Sequence, residues 1–120
     1  MVYDTENIFA KILRKEASCT KVYEDAYALA FNDINPQAPT HVIVIPKGAY
    51  VSMEDFTTKA SDAEIAGFFR AVGNTARQLG LSANGYRIVA NTGKEGMQEV
   101  LHLHVHILGG KKIGPMVAAG

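Results

Sequence analysis

The chain is predicted to fold as α+β, with an antiparallel sheet of about five strands, one long helix and a short N-terminal helix. Three features lead there. Short apolar stretches punctuated by turn formers fill residues 21–45. One long stretch of helical period occupies the middle of the chain, and a strictly alternating strand pattern lies near its C-terminal end.

The short helix comes first. Ile8, Phe9, Ile12 and Leu13 recur at helical spacing between Asn7 and Lys15, with Lys11, Arg14 and Lys15 on the opposite side. Val22-Tyr23, Tyr27 to Phe31 and His41 to Ile45 follow as strands of a meander, broken most clearly by Asn35-Pro36-Gln37-Ala38-Pro39. Ser61-Asp62-Ala63-Glu64 forms a capping box, in which serine and glutamate satisfy each other's free backbone donors. Ile65, Phe68, Phe69, Val72, Ala76 and Leu79 then keep a helical period until Gly80 ends it. Gly67 and Gly73 inside this helix each cost about 1 kcal/mol against alanine, which points to close backbone packing at both. A strand at Tyr86 to Ala90, a loop from Asn91 to Glu99 and a strand at Val100 to Leu108 complete the chain. No repeat or linker divides it, so residues 1–120 read as one domain.

Composition narrows the partners. Lys+Arg and Asp+Glu each total 12, so no broad field attracts a nucleic acid polymer or an anionic membrane. No apolar run is long enough to span a bilayer, no secretory signal is visible, and cytoplasmic residence is the default expectation. The single cysteine, Cys19, has no internal disulfide partner and reads as a small half-buried side chain in a reducing compartment.

The chemistry concentrates in Val100-Leu101-His102-Leu103-His104-Val105-His106-Ile107-Leu108. Alternation puts three of the four histidines on one face and Leu101, Leu103, Val105 and Ile107 on the other. One histidine in a strand is usually structural; three side by side are hard to assign to packing. Zinc is one reading, since imidazole is a common ligand. However, the outer two backbones stand about 13 Å apart, while ligand nitrogens on a tetrahedral zinc converge to about 3.3 Å. Two of the three could share an ion more readily than all three. The other reading is nucleophilic catalysis, which needs a neutral ring, a fixed tautomer and donors for developing charge. Crowded imidazoles disfavour charging all of them, so an uncharged attacking nitrogen near neutral pH fits.

These residues identify a resemblance to the histidine triad (HIT) superfamily, whose signature is three alternating histidines each followed by an apolar residue. Similarity to its Hint branch, the histidine triad nucleotide-binding proteins, extends over nearly the whole chain. It includes Ile8-Phe9-Ala10-Lys11-Ile12, Ala30-Phe31-Asn32-Asp33-Ile34, Pro36-Gln37-Ala38-Pro39-Thr40-His41, Ile45-Pro46-Lys47, Gly85-Tyr86-Arg87 and Gly109-Gly110. His41 falls on the family's remaining histidine.

The resemblance implies a HIT-like fold that dimerises into a continuous sheet, with the helix from Ser61 to Leu79 at the interface. It implies hydrolysis of purine nucleoside 5'-phosphoramidates such as adenosine 5'-monophosphoramidate, with aminoacyl or lysyl adenylates as further candidate substrates and AMP or GMP as nucleotide ligands. By the same resemblance His104 attacks the α-phosphorus, His106 hydrogen-bonds the phosphate or leaving group, and His102 and His41 hold the rings in a useful tautomer. Asp33 takes the ribose hydroxyls. Ile8, Phe9, Ile12, Phe31 and Ile34 line the base pocket, and Asn91, Met97, Gln98 and Glu99 contact phosphate, partly through backbone donors. No cofactor and no metal are implied. Read without the family, Asp33 is a turn aspartate and Ile8, Phe9 and Ile12 are core.

Three positions depart from the common pattern. Glu99 stands where eukaryotic relatives usually carry serine and bacterial ones often carry glutamate, which favours a bacterial source. Met97 replaces a common glycine and Leu101 a common tyrosine. Two alternatives stand beside the phosphoramidase: a dinucleoside polyphosphate hydrolase, and a nucleotide-binding regulator that acts through a partner surface such as Gly114-Pro115-Met116-Val117.

Overall fold

The computed structural model describes residues 2–118. The elements run α1 (Ile8–Leu13), β1 (Lys21–Glu24), β2 (Ala28–Asn32), β3 (Thr40–Pro46), α2 (Met53–Lys59), α3 (Asp62–Gln78), β4 (Arg87–Val89) and β5 (Val105–Gly109). The five strands form one sheet in the order β1-β2-β3-β5-β4, with antiparallel pairing throughout. This is the expected fold class.

Both faces of the sheet are covered. Ala28 and Ala30 of β2, Val42 and Val44 of β3, and Val105 and Ile107 of β5 pack with Phe68, Ala71 and Val72 of α3 and Phe56 of α2. Leu29, Phe31, Ile43 and Ile45 point the other way and pack with Phe9 and Ile12 of α1. The two sets alternate along β2 and β3, as a period of two requires when each face has its own cover.

The helix ends follow the local signals. Asn7 caps α1 by accepting from the Ala10 N–H at 2.9 Å. Ser61 and Glu64 form the expected reciprocal box on α3. The sequence reading missed α2, although Ser52-Met53-Glu54-Asp55 carries the same signature, with Asp55 accepting from the Ser52 N–H at 2.7 Å.

Gly67 faces the ring of Tyr27, where a Cβ would collide, so close packing holds there. It does not hold at Gly73, whose nearest neighbours are the guanidinium atoms of Arg77 at 3.5 Å and beyond. Cys19 is exposed rather than half-buried.

The histidine strand also differs from its expected extent. Pairing begins only at Val105, and residues 100–104 approach the sheet as irregular chain. Their backbone groups are engaged elsewhere. The Leu103 N–H donates to the Tyr50 carbonyl at 2.8 Å, the Val100 carbonyl accepts from Gln98 Nε2 at 3.0 Å, and the His102 carbonyl serves a side chain. A ladder cannot form from groups already bonded to loops. Alternation survives nonetheless: Leu103, Val105 and Ile107 are in the α3-side core, while Leu101 is only half-buried and lies outside it.

Candidate active site

On the α1 side of the sheet a cavity of about 890 Å³ opens to solvent, a size suited to a small ligand. Ile8, Phe9 and Ile12 of α1 form one wall with Phe31 of β2. Asp33 and Ile34, in the turn after β2, stand with His41 beside them, and Ile34 lies at the rim, almost fully exposed. Asn91, Met97 and Glu99 come from the loop between β4 and β5, and His104 and His106 close the floor. Twelve of the fourteen sequence-predicted site residues therefore meet here; His102 and Gln98 do not line the cavity.

His102 is fully buried behind it. Gln98 is a staple within the loop: its Nε2 donates to the Val51 carbonyl at 2.6 Å and its Oε1 accepts from the Gly93 N–H at 3.1 Å. The Met97 and Gln98 N–H groups donate to Lys94 and Gly93 carbonyls inside the same loop. Of the Met97-Gln98-Glu99 segment expected to contact phosphate, two backbone donors are thus engaged within the loop. Met97 holds φ at +58°, a left-handed conformation costing a side-chain-bearing residue about 1–2 kcal/mol, which explains why glycine suits the position.

The hydrogen bonds assign each proton. His104 Nδ1 lies 2.8 Å from the His102 carbonyl. A carbonyl only accepts, so Nδ1 carries the proton and Nε2 keeps its lone pair. His41 Nδ1 accepts from the Gln37 N–H at 3.0 Å, which puts the neutral His41 proton on Nε2. That Nε2 lies 2.8 Å from His106 Nδ1 and 3.3 Å from Asp33 Oδ2. His106 Nδ1 must then accept, leaving the His106 proton on Nε2. His102 Nε2 donates to the Pro46 carbonyl at 3.0 Å and its Nδ1 accepts from the Tyr3 hydroxyl.

Asp33 divides its carboxylate. Oδ1 accepts from the Asn35 N–H at 2.7 Å, the expected turn role, while Oδ2 turns towards His41. The turn reading and the site reading of this residue are compatible.

Desolvation is the largest influence on all three triad rings, and it favours the neutral form. It pushes His102 and His106 down to about 4. At His106 the neighbouring His104 and His41 add to the effect. His104 is also lowered by burial, against opposing pulls from its bond to the His102 carbonyl and from Asp33 and Glu99. Phe9 packs edge-on against the His104 ring at 5.0 Å and keeps water from that side. A neutral imidazole with an exposed lone pair, beside a second imidazole presenting an N–H, can attack an electrophilic centre and bind the charge that develops.

Among the described residues, one group has metal-ligand chemistry: Asp33, His41 and His106 each offer an atom within 4.8 Å of the others. The two nitrogens stand 2.8 Å apart, however. That is a hydrogen-bond separation, shorter than the roughly 3.3 Å between ligands on a tetrahedral zinc. As arranged, these rings hold a proton between them.

A five-stranded α+β fold with this triad behind an acidic turn defines a histidine triad protein. The HIT domain family matches residues 14–113, and the chain belongs to that family. It is similar to an uncharacterized 13.2 kDa HIT-like protein of Azospirillum brasilense, 58% identical over 98% of this chain and 97% of the relative. It is 41% identical to the purine nucleoside phosphoramidase of Escherichia coli K12, covering 94% of each. A solved histidine triad protein from Clostridium difficile superposes with a TM-score of 0.84 at 40% identity, over 97% of this chain and all of that one.

Sequence reasoning missed Tyr3 and the Gln37 backbone donor. Nothing local marks Tyr3, whose partner is 99 residues away.

Proposed function

We propose that the protein hydrolyses purine nucleoside 5'-phosphoramidates through a nucleotide bound covalently to His104. The observation that carries this reading is the proton assignment. A lone pair at His104 Nε2 and an N–H at His106 Nε2 belong to rings lining the same cavity, with Asp33 on its wall. Similarity to the Escherichia coli enzyme supports the substrate class.

In this mechanism His104 Nε2 attacks the α-phosphorus while the P–N bond breaks. The amine leaves with the bonding electrons and takes a proton from solvent at the cavity mouth, where Glu99 is exposed. Positive charge left on His104 is shared through Nδ1–H with the His102 carbonyl. His106 Nε2–H binds a phosphate oxygen. Water then attacks phosphorus, releases a proton and returns the lone pair to His104, giving the nucleoside monophosphate. Asp33 holds the ribose hydroxyls, and Phe9, Ile12 and Phe31 hold the base.

Incubation with adenosine 5'-phosphoramidate is expected to yield amine and AMP at the same rate with and without a chelator. Quenching with denaturant at alkaline pH, where the acid-labile phosphorus–imidazole bond persists, should trap one nucleotidyl adduct, which mass spectrometry places on His104. Loss of turnover on chelation, restored by zinc, would reject the mechanism. An adduct formed only from dinucleoside polyphosphates would reject the substrate class.

The protein is also proposed to dimerise through β4. This strand is three residues long and lies at the sheet edge, with Ile88 nearly half exposed beside the exposed Tyr86. An unpaired edge with apolar side chains is a template for a second strand. Sedimentation should give twice the monomer mass, and Ile88→Lys should shift the chain to monomer. A monomeric wild type at micromolar concentration would end this proposal.

A further inference from the structure

We propose that Tyr3 is a positioning residue for the nucleophile, acting through the ring and carbonyl of His102. The proposal rests on His104 being the attacking group. Tyr3 lies ahead of α1, far in sequence from the triad, yet its hydroxyl stands 2.5 Å from His102 Nδ1. The two rings also meet edge to face, with centroids 5.6 Å apart.

His102 has no access to solvent and does not line the cavity, so its ring touches no substrate. Its two nitrogens are nonetheless fully committed. Nε2 donates to the Pro46 carbonyl at the end of β3, and Nδ1 accepts a hydrogen bond from the Tyr3 hydroxyl. These two bonds clamp the ring from opposite sides in a single tautomer. The peptide carbonyl of the same residue accepts from His104 Nδ1 at 2.8 Å. Because residues 100–104 are outside the sheet ladder, no strand pairing fixes that carbonyl. The His102 ring is the anchor that replaces it, together with the Leu103 N–H bond to Tyr50.

Removing the hydroxyl leaves a buried acceptor without a donor, a state proteins rarely tolerate. The ring can respond by moving its proton to Nδ1, which breaks the bond to Pro46, or by rotating. Both responses release the His102 peptide. His104 then gains access to the tautomer with its proton on Nε2, which has no lone pair to attack phosphorus.

Tyr3→Phe keeps the ring contact and deletes only the hydroxyl. Expected results are a fall of about three- to tenfold in kcat and in the rate of nucleotidyl-His104 formation, the range one buried hydrogen bond commands, with KM unchanged. Nitrogen-15 spectra should show His102 Nδ1 losing its hydrogen-bonded shift and His104 becoming a mixture of tautomers. Tyr3→Ala, which also removes the ring, should give the same spectral change with a larger kcat loss. A folded Tyr3→Phe protein with unaltered kcat and unaltered His102 and His104 spectra would overturn the proposal. So would a lowered Tm with kcat intact, which is the signature of a merely structural contact. The spectra judge Tyr3 without turnover, so an adduct found away from His104 would refute the nucleophile assignment separately.

Discussion

His104→Ala is expected to abolish adduct formation and to lower phosphoramidate turnover by at least about a thousandfold, as removal of an attacking group does elsewhere. The ring lies among buried groups and packs on Phe9. Its loss should also cost about 1–3 kcal/mol of stability, well short of unfolding the chain. Nucleotide binding should survive, because Asp33, Ile12 and Phe31 are untouched. The measurement is single-turnover hydrolysis of a labelled adenosine phosphoramidate, with AMP affinity followed by calorimetry on the same sample. A variant that binds AMP and still turns over within tenfold of wild type would remove His104 from the chemistry.

The second large effect is on stability against pH. His102 and His106 are held at about 4 in the folded protein, chiefly by desolvation, against about 6.5 in an unfolded chain. The unfolded chain therefore binds more protons between those two values. Stability is complete above pH 6.5 and is lost as pH falls through 6.5 towards 4. At pH 5 each ring would contribute a loss of about 2 kcal/mol, with His106 somewhat less because its side chain is 18% exposed. His104 adds in the same direction. Together this is a sizeable share of the roughly 5–15 kcal/mol that holds a typical domain. Urea unfolding at pH 7.5 and pH 5.0 measures it, before most carboxylates titrate. A flat profile across that interval would show that the imidazoles are not buried as neutral rings. Burial lowers His104 in the same direction, which favours the neutral ring and its free lone pair.

Those imidazoles were conspicuous in the sequence because alternation at period two leaves a chemical trace. Val105 and Ile107 take one side, His104 and His106 the other, and no packing requirement calls for histidine repeatedly at such positions. Long periodic elements were legible for the same reason: α3 carries its apolar stripe and its capping box in consecutive residues. The α2 helix carried a cap too, but its seven residues bury only Phe56, too little for a period to emerge. Gly73 shows the opposite failure, since a glycine in a helix looks alike whether it meets a neighbour, as Gly67 does, or open space.

The roles of Gln98, Tyr3 and His102 were beyond local reading. Each is defined by a partner distant in sequence: Val51 for Gln98, Pro46 and Tyr3 for His102. Gln98 matched a phosphate-contact position by resemblance, yet the loop uses it internally. His102 matched a supporting role by resemblance, and its ring lies outside the cavity with both nitrogens bonded to partners far along the chain.

Element type, the face each histidine takes and the family itself follow from residue order alone, because periodicity and motif spacing are properties of neighbours in the chain. Which nitrogen carries each proton, how far each ring is dried and where the histidine segment leaves the sheet are settled only by folding. Those properties depend on donors and apolar walls brought from α1, β3 and the loops, and a hydrogen bond across 99 residues has no counterpart in the linear sequence.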